Sequence, residues 1–301
     1  MLSAGLCACC MPSARGGTAN MTLTEVGSGI HMRRGLDADA APQNENAIAN
    51  IGFIVGGTCV AVIDPGGCLS DGDRLRTALR TITDLPIRYV IMSHAHPDHI
   101  FGAGAFVTDR PSFVGHYRLP GTLARRGAFY QRSLDAILGS GRAGPIVQPT
   151  LLVHDTMDID LGGRVLTLTA HGLAHTDSDL SVLDRNSSTL LPADLLFVER
   201  VPSLDGSLLG WLKELGTLKA VGAHYAVPGH GPVKLNWPDA AMDEERYFGV
   251  LLRETRQAVA QGVGIERAAT TIGLSERSRW KLFDDYNGHN VTQAYKELEW
   301  E

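Results

Sequence analysis

His94, His96, Asp98 and His99 fall within six residues, directly after the apolar run Arg88–Met92. Imidazole and carboxylate at this density are the donors of a metal site, and four ligand-type residues at the end of a buried strand are rarely accidental. In extended backbone successive side chains alternate, so His94 and His96 share a side. The turn at Pro97 then carries Asp98 and His99 to a neighbouring point, and two adjacent metal positions can share the one loop.

The string His94-x-His96-x-Asp98-His99 resembles the signature of the metallo-beta-lactamase superfamily of binuclear metallohydrolases. The resemblance implies an α/β fold, the αββα four-layer sandwich, and three more ligands. A His before a Thr, after a strand, is expected for the first metal, and Ala174-His175-Thr176 supplies it. A bridging Asp is expected after the next strand, usually as Gly-Asp; here it is Asp194, with Ala193 in the Gly position. The last His is expected in Gly-His-Gly, and Pro228-Gly229-His230-Gly231-Pro232 contains it. The implied metal ligands are therefore His94, His96, Asp98, His99, His175, Asp194 and His230. The implied cofactor is Zn²⁺, two ions per chain, with iron as the alternative. Asp98 has a second implied role, catalytic, as the proton carrier to the leaving group.

Residues 22–301 are further similar to the bacterial quinoprotein relay system zinc metallohydrolases, with a glyoxalase II-like ligand set. Ala49-Asn50-Ile51-Gly52-Phe53-Ile54, His175-Thr176-Asp177-Ser178-Asp179-Leu180, the stretch Arg200–Leu208 and the ending Glu297-Leu298-Glu299-Trp300-Glu301 carry that similarity. It implies a link to a quinoprotein dehydrogenase system and a periplasmic address, the cytoplasm being the alternative. His96 stands where the flavodiiron proteins carry Glu, which favours hydrolysis over oxygen reduction. Asp194 stands where the best-known lactamase branch uses Cys, which argues against lactam cleavage.

The chemistry of the donors agrees. Three His and a bridging Asp make an open site in which a metal lowers the pKa of bound water from 15.7 to about 7. The expected function is hydrolysis of an ester, thioester, lactone or amide bond of a small molecule by a metal-bound hydroxide. Two alternatives stand beside it: a mononuclear iron persulfide dioxygenase, and an accessory metal-binding protein of a quinoprotein dehydrogenase system.

Other residues carry weaker readings. His171 lies four residues before His175 and competes with it for the third His position. Asp64, in Asp-Pro-Gly-Gly at a strand end, either orients a metal-bound His or simply forms the turn. Arg200 either meets an anionic substrate or is a solvated loop charge. His116, His154, His224 and His289 read as ordinary surface or core histidines, and Cys59 and Cys68 as small core or loop residues.

The elements that must position these groups alternate along the chain. Ile48–Val55 and Thr58–Ile63 predict a hairpin across Gly56-Gly57, and Asp71–Thr83 a helix with Leu75, Leu79 and Ile82 on one face. Arg88–Met92 is the next strand, and Leu119–Leu138 a helix. Strands follow near 151–153, 164–170, 180–184 and 189–191, then a helix at Ser207–Val221 and a strand at Tyr225–Val227. From Asp239 the pattern is helical, with a stripe of Phe248, Leu251, Leu252, Thr255 and Val259. The expected organisation is an N-terminal tail at 1–21, a catalytic domain at 22–238 and a helical C-terminal extension at 239–301.

Composition sets the bounds. A chain of 301 residues with 44% hydrophobic and 20% charged side chains can bury a substantial core. With 27 basic against 33 acidic residues, net charge −6, nothing drives nucleic-acid binding. The expected partner is a small-molecule substrate. Five cysteines, at 7, 9, 10, 59 and 68, form no disulfide or thiolate–zinc pattern. No apolar run approaches the roughly 20 residues of a membrane span. The first 20 residues, MLSAGLCACCMPSARGGTAN, read as the tail of a secretory signal, as a lipoprotein cleavage site at Leu6-Cys7-Ala8-Cys9, or as an extension before a start at Met21.

Overall fold

The computed structural model describes residues 21–301, so the three readings of residues 1–20 lie outside the described residues. Strands β1 (Thr24–Gly27), β2 (Ile30–Arg33), β3 (Ile51–Val55), β4 (Val60–Ile63), β5 (Ile87–Met92), β6 (Ser112–His116) and β7 (Leu151–Val153) form one sheet in chain order. Pairing is antiparallel from β1 to β4 and parallel from β4 to β7. The second sheet runs β13-β12-β11-β10-β9-β8, built from β8 (Thr156–Asp160), β9 (Val165–Ala170), β10 (Leu180–Asp184), β11 (Thr189–Phe197), β12 (Tyr225–His230) and β13 (Leu235–Asn236). Within it only β11 and β12 are parallel.

The period of two along the strands assigns each side chain to a layer. Ile54, Ala61, Ile63 and Ile91 of the first sheet meet Leu166, Leu168, Val182 and Leu191 of the second in a core between the sheets. Their sequence neighbours Phe53, Val62, Val90 and Met92 point the other way, onto Leu75 and Leu79 of helix α1 (Leu69–Ile82). Strand segments buried on both faces must be apolar throughout, which is why 60–63 and 90–92 read as continuous runs rather than alternations.

Four helical pieces follow on the first half: α1, the turn α2 (Pro97–Ile100), α3 (Leu119–Thr122) and α4 (Ala128–Leu138). The single helix expected at 119–138 is divided, because Leu123–Gly127 widens into a π-helical turn between α3 and α4. Helices α5 (Leu208–Lys219), α6 (Met242–Ala260), α7 (Ile265–Thr271) and α8 (Phe283–Leu298) complete the chain. Trp211 and Leu215 of α5, Phe248 and Leu251 of α6 and Val291 of α8 share one core with Leu195 and Phe197 of β11. The layers are therefore helix, sheet, sheet, helix, and the C-terminal helices belong to the outer layer over the second sheet.

Several strands differ from the sequence reading: β6 and β13 were not expected, and β12 runs on to His230. β11 runs on to Phe197 instead of stopping before Pro192, because the ladder shifts register on both sides of Ala193 and so absorbs a residue without an amide proton. The edge strand β8 was not anticipated; Met157 and Ile159 alternate with charged neighbours too briefly to stand out. No helix among the described residues is long and apolar enough to cross a membrane.

Candidate metal centre

The ends of five strands converge on one rim of the sandwich. β5 ends at Met92 and releases Ser93-His94-Ala95-His96, whose last residue is still extended; Pro97 then opens α2, where its fixed φ and missing amide proton cost nothing at a first helical position. Asp98 and His99 are thereby swung into the first turn, as the sequence implied. β4 ends beside β5 and delivers Asp64, which sits at φ 50°. Asp194 lies in β11 and His230 closes β12, its parallel neighbour. His175 follows β9.

Two backbone details hold the parallel pair together. A Cβ on Gly229 would lie 1.8 Å from Asp194 Oδ1, so only glycine lets His230 and Asp194 come side by side. Ala193 adopts φ 49°, the left-handed conformation that explains a preference for Gly before the Asp; alanine holds it here at a strain of order 1 kcal/mol.

The seven side chains form two overlapping groups, each with donor atoms within 4.8 Å of one another: His94, His96, His175 and Asp194, and Asp98, His99 and His230. His175 Nε2 is 3.0 Å from His96 Nδ1. Asp194 Oδ2 lies 3.4 Å from His175 Nε2, 3.4 Å from His230 Nε2 and 3.7 Å from His94 Nε2, while its Oδ1 lies 3.0 Å from His99 Nε2. Asp98 Oδ2 is 3.3 Å from His230 Nε2 and 3.6 Å from His99 Nε2. Donors about 2.1 Å from a tetrahedrally held metal ion are about 3.4 Å from each other, a spacing these separations of 3.0–3.7 Å bracket. Asp194 faces both groups.

The orphaned atoms give the decisive fit. His94 Nε2, His99 Nε2 and Asp194 Oδ1 are buried and make no hydrogen bond, although His99 and Asp194 approach to 3.0 Å. Each aims past the other at common space, as ligands of an ion do. Buried donors left in this condition otherwise cost about 1–3 kcal/mol each.

The opposite nitrogen of every ring is tied down. His94 Nδ1 donates to Ser93 Oγ at 3.0 Å, because the Ser93 hydroxyl proton goes to Asp64 Oδ2. His99 Nδ1 donates to Asp64 Oδ2 at 2.8 Å, His175 Nδ1 to the Ser203 carbonyl at 2.6 Å and His230 Nδ1 to the Ile48 carbonyl at 3.0 Å. His96 is reversed: its Nε2 donates to Asp205 Oδ2 at 3.0 Å, so Nδ1 is the free donor. Such partners fix tautomer and ring orientation and raise ligand basicity.

Burial and neighbouring charge pull on the imidazoles in opposite directions. Burial holds His94 well below its ordinary pKa, and pushes His175 down to about 4. Burial opposes the charge of Asp98 and Asp194, but the surrounding imidazoles, His99 foremost, outweigh it and hold both carboxyls below the usual range. For His99 burial is overridden by Asp194, Asp98 and Asp64, which raise it well above normal.

The structure thus brings all seven expected ligands together and places Asp64 directly behind His99. Arg200 reaches the edge of the centre and is only 4% exposed, which removes the solvated-charge reading. It does not bring His171 there: Nδ1 engages Glu214 Oε2 at 2.8 Å and Nε2 engages Ser181 Oγ at 2.7 Å. His116 is equally committed elsewhere, to the His171 carbonyl and the Arg118 amide. His289 also stands outside the ligand groups, but its Nε2 donates at 2.9 Å to Asp205, the residue that holds His96. Asp205 lies in the Arg200–Leu208 stretch three residues before α5, at no ligand-type spacing from the histidines.

A family model of the metallo-beta-lactamase superfamily matches residues 46–230. The chain belongs to the metallo-beta-lactamase superfamily. As a member it is a hydrolase with a metal-binding His/Asp cluster. The linear primary-alkylsulfatase of Pseudomonas sp. (strain ATCC 19151) is 24% identical over 237 residues, covering 66% of this chain and 43% of that protein. Among solved structures, a metallo-beta-lactamase from Pontibacter korlensis superposes with a TM-score of 0.61 at 17% identity, covering 76% of this chain and 98% of that one. The stereoselective inverting sec-alkylsulfatase Pisa1 from Pseudomonas sp. gives 0.68 at 15% identity, covering 91% and 50%. This superfamily member therefore spans half or less of the length of both sulfatases.

Proposed function

We propose that this chain is a binuclear zinc hydrolase of the quinoprotein relay type that cleaves an ester, thioester, lactone or amide bond of a small molecule. One observation carries the reading: seven side chains from four segments of the chain each offer one donor atom to shared space, with the remaining ring nitrogen of every His already hydrogen-bonded. His94 Nε2, His96 Nδ1 and His175 Nε2 would hold the first cation, Asp98, His99 Nε2 and His230 Nε2 the second, and Asp194 would bridge them. Zinc at such a site supplies a coordinated water with a pKa near about 7 and polarises the scissile bond.

The chain's own residues do the rest. Asp98, which borders the cavity of about 110 Å³ in front of the centre, takes the proton released by the attacking water and passes it to the leaving group. Asp64 and Asp205 keep His99 and His96 in their ligand tautomers. Five neutral imidazoles and two carboxylates around two divalent cations would leave the centre net positive, which favours a transition state that gains negative charge. The similarity to an alkylsulfatase supports a sulfate ester as a second candidate for the bond. The motifs at 49–54, 175–180 and 200–208 support the quinoprotein relay assignment, and with it a periplasmic address.

Metal analysis of the purified protein, followed by thioesters, lactones, 4-nitrophenyl sulfate and a chromogenic cephalosporin side by side, tests the reading. Close to two zinc ions per chain and turnover of at least one ester-type substrate are expected, with the cephalosporin poorest because Asp194 replaces a thiolate. One iron per chain with oxygen uptake on glutathione persulfide would overturn it in favour of a dioxygenase. Bound metal without turnover on any substrate would point to an accessory protein.

A further inference from the structure

Arg200 is a buried cation without adequate partners. Its Nε makes no hydrogen bond. Nη2 donates to Tyr286 Oη at 3.1 Å, and Nη1 reaches the Ala38 carbonyl only at 3.4 Å. Nη1 also lies 3.2 Å from His230 Nδ1, but that nitrogen donates its proton to Ile48 and has nothing to accept with. The nearest carboxylate, Asp39, stands 3.8 Å away, is more than half exposed, and already accepts from the Tyr286 hydroxyl. A guanidinium has five N–H groups, and taking it out of water costs several kcal/mol unless charge and hydrogen bonds are returned.

The place of this cation is specific. Arg200 and Tyr286 line the same cavity as Asp98, Asp194 and His230, with Ile48 and Phe197 as its apolar walls. Tyr286 comes from α8 and Ala38 from the loop before β3, so two separate segments contact the guanidinium, whose carbon also lies 5.2 Å from the centre of the Tyr286 ring. Arg200 itself reaches this cavity with its Nε still unpaired.

We propose that Arg200, braced by Tyr286, binds an oxyanion of the substrate, so that this hydrolase acts on small molecules carrying a carboxylate, sulfate or phosphate beside the scissile bond. This rests on the hydrolase reading above and narrows its substrate class. The planar fork of the guanidinium matches a two-oxygen edge, and the pairing returns the charge that burial removed. A neutral substrate would leave the guanidinium as it stands, desolvated and half satisfied.

The experiment uses metal-loaded protein and a matched pair of substrates, mono-(4-nitrophenyl) glutarate and its methyl ester, with 4-nitrophenyl sulfate as a third arm. The ratio of kcat/KM for the charged over the neutral ester, read within one variant, does not depend on how much active enzyme the sample contains. The wild type should favour the charged ester, and Arg200→Met should lower that ratio about 10- to 100-fold, through KM rather than kcat. Arg200→Lys, which keeps the charge without the fork, should fall between. Turnover of 4-nitrophenyl sulfate would make the bound oxyanion the group cleaved; turnover of the glutarate ester alone would make it an appended one. Calorimetric titration with inorganic sulfate reads the same clamp without turnover, and at unchanged metal content Arg200→Met should bind it at least about tenfold more weakly. If no substrate is hydrolysed, the hydrolase reading falls while the sulfate titration still decides the clamp. Equal sulfate affinity in Arg200→Met and wild type, or equal loss on the charged and neutral esters, would overturn the proposal and leave Arg200 a strut between α8 and the loop before β3.

Discussion

Asp205 Oδ2 accepts from His96 Nε2 at 3.0 Å, and on its other oxygen the same carboxylate accepts from His289 Nε2 at 2.9 Å. The C-terminal helix α8 thereby reaches a ligand of the metal centre through one side chain. Burial disfavours the Asp205 charge, yet the hydrogen bonds from His289 and His96 hold its carboxyl below the usual range. An anion at that point is what makes His96 present Nδ1.

Asp205→Asn keeps an acceptor for His96 but removes the charge and lets the amide turn its donor end inward. Affinity for the ion held by His94, His96 and His175 should drop about 10- to 100-fold, the usual effect of losing such a partner. Competition with a chromogenic chelator measures it, and His289→Ala should show a smaller loss in the same direction. Unchanged affinity in both variants would mean that His96 needs no support.

Removing a ligand should be harsher. His94→Ala or His175→Ala leaves the first position with two imidazoles, and should cost one metal per chain and nearly all turnover. Asp194→Ala should cost both, since its two oxygens face both groups. Elemental analysis beside a rate assay decides it; a variant of Asp194 with full metal content would remove that residue from the bridge.

His94, His96, Asp98 and His99 were legible in the sequence because ligand chemistry is encoded in residue type and short spacing within one strand-end loop, whereas His175, Asp194 and His230 followed only from the family resemblance. Asp64 was half legible, since a turn-forming Asp and an Asp that accepts from Ser93 and His99 have the same local sequence. His289 and Asp205 were not legible: 84 residues separate them, and their meeting depends on how α8 docks against the 200–208 loop. The four-layer order followed from the family resemblance, whereas β8 and the break at Leu123–Gly127 depend on tertiary neighbours that periodicity does not report.

The docking of the C-terminal helices supports a further expectation. Phe248 of α6 is fully buried, its ring 4.8 Å from that of Trp211, and Trp211 in turn packs 5.1 Å from His175. Phe248→Ala should destabilise the fold by about 3–5 kcal/mol, the range for truncating a buried aromatic. Urea unfolding gives the number. Because Trp211 would shift toward the vacated space, the variant should also bind metal more weakly, and a purely local cavity would leave metal affinity intact.

His116 supplies a pH dependence whose sign can be worked out. It is buried with both nitrogens used: Nε2 donates to the His171 carbonyl at 3.1 Å, and Nδ1 accepts from the Arg118 amide at 3.0 Å. Protonating Nδ1 would set a proton against the Arg118 amide, and burial pushes the pKa from 6.5 down to about 4. The unfolded chain therefore takes up this proton first as pH falls, so stability is full above about 6.5 and is lost progressively toward about 4. His116→Asn retains an acceptor for Arg118 but does not titrate. It should be less stable than wild type at pH 7 by roughly 1 kcal/mol, for the lost bond to His171. The deficit should shrink as pH falls from 7 to 5, since only the wild type is penalised there. Comparing the two proteins by urea unfolding at several pH values cancels every other titrating group, and a deficit that stays constant or widens on acidification would show that His116 is not neutral in the fold.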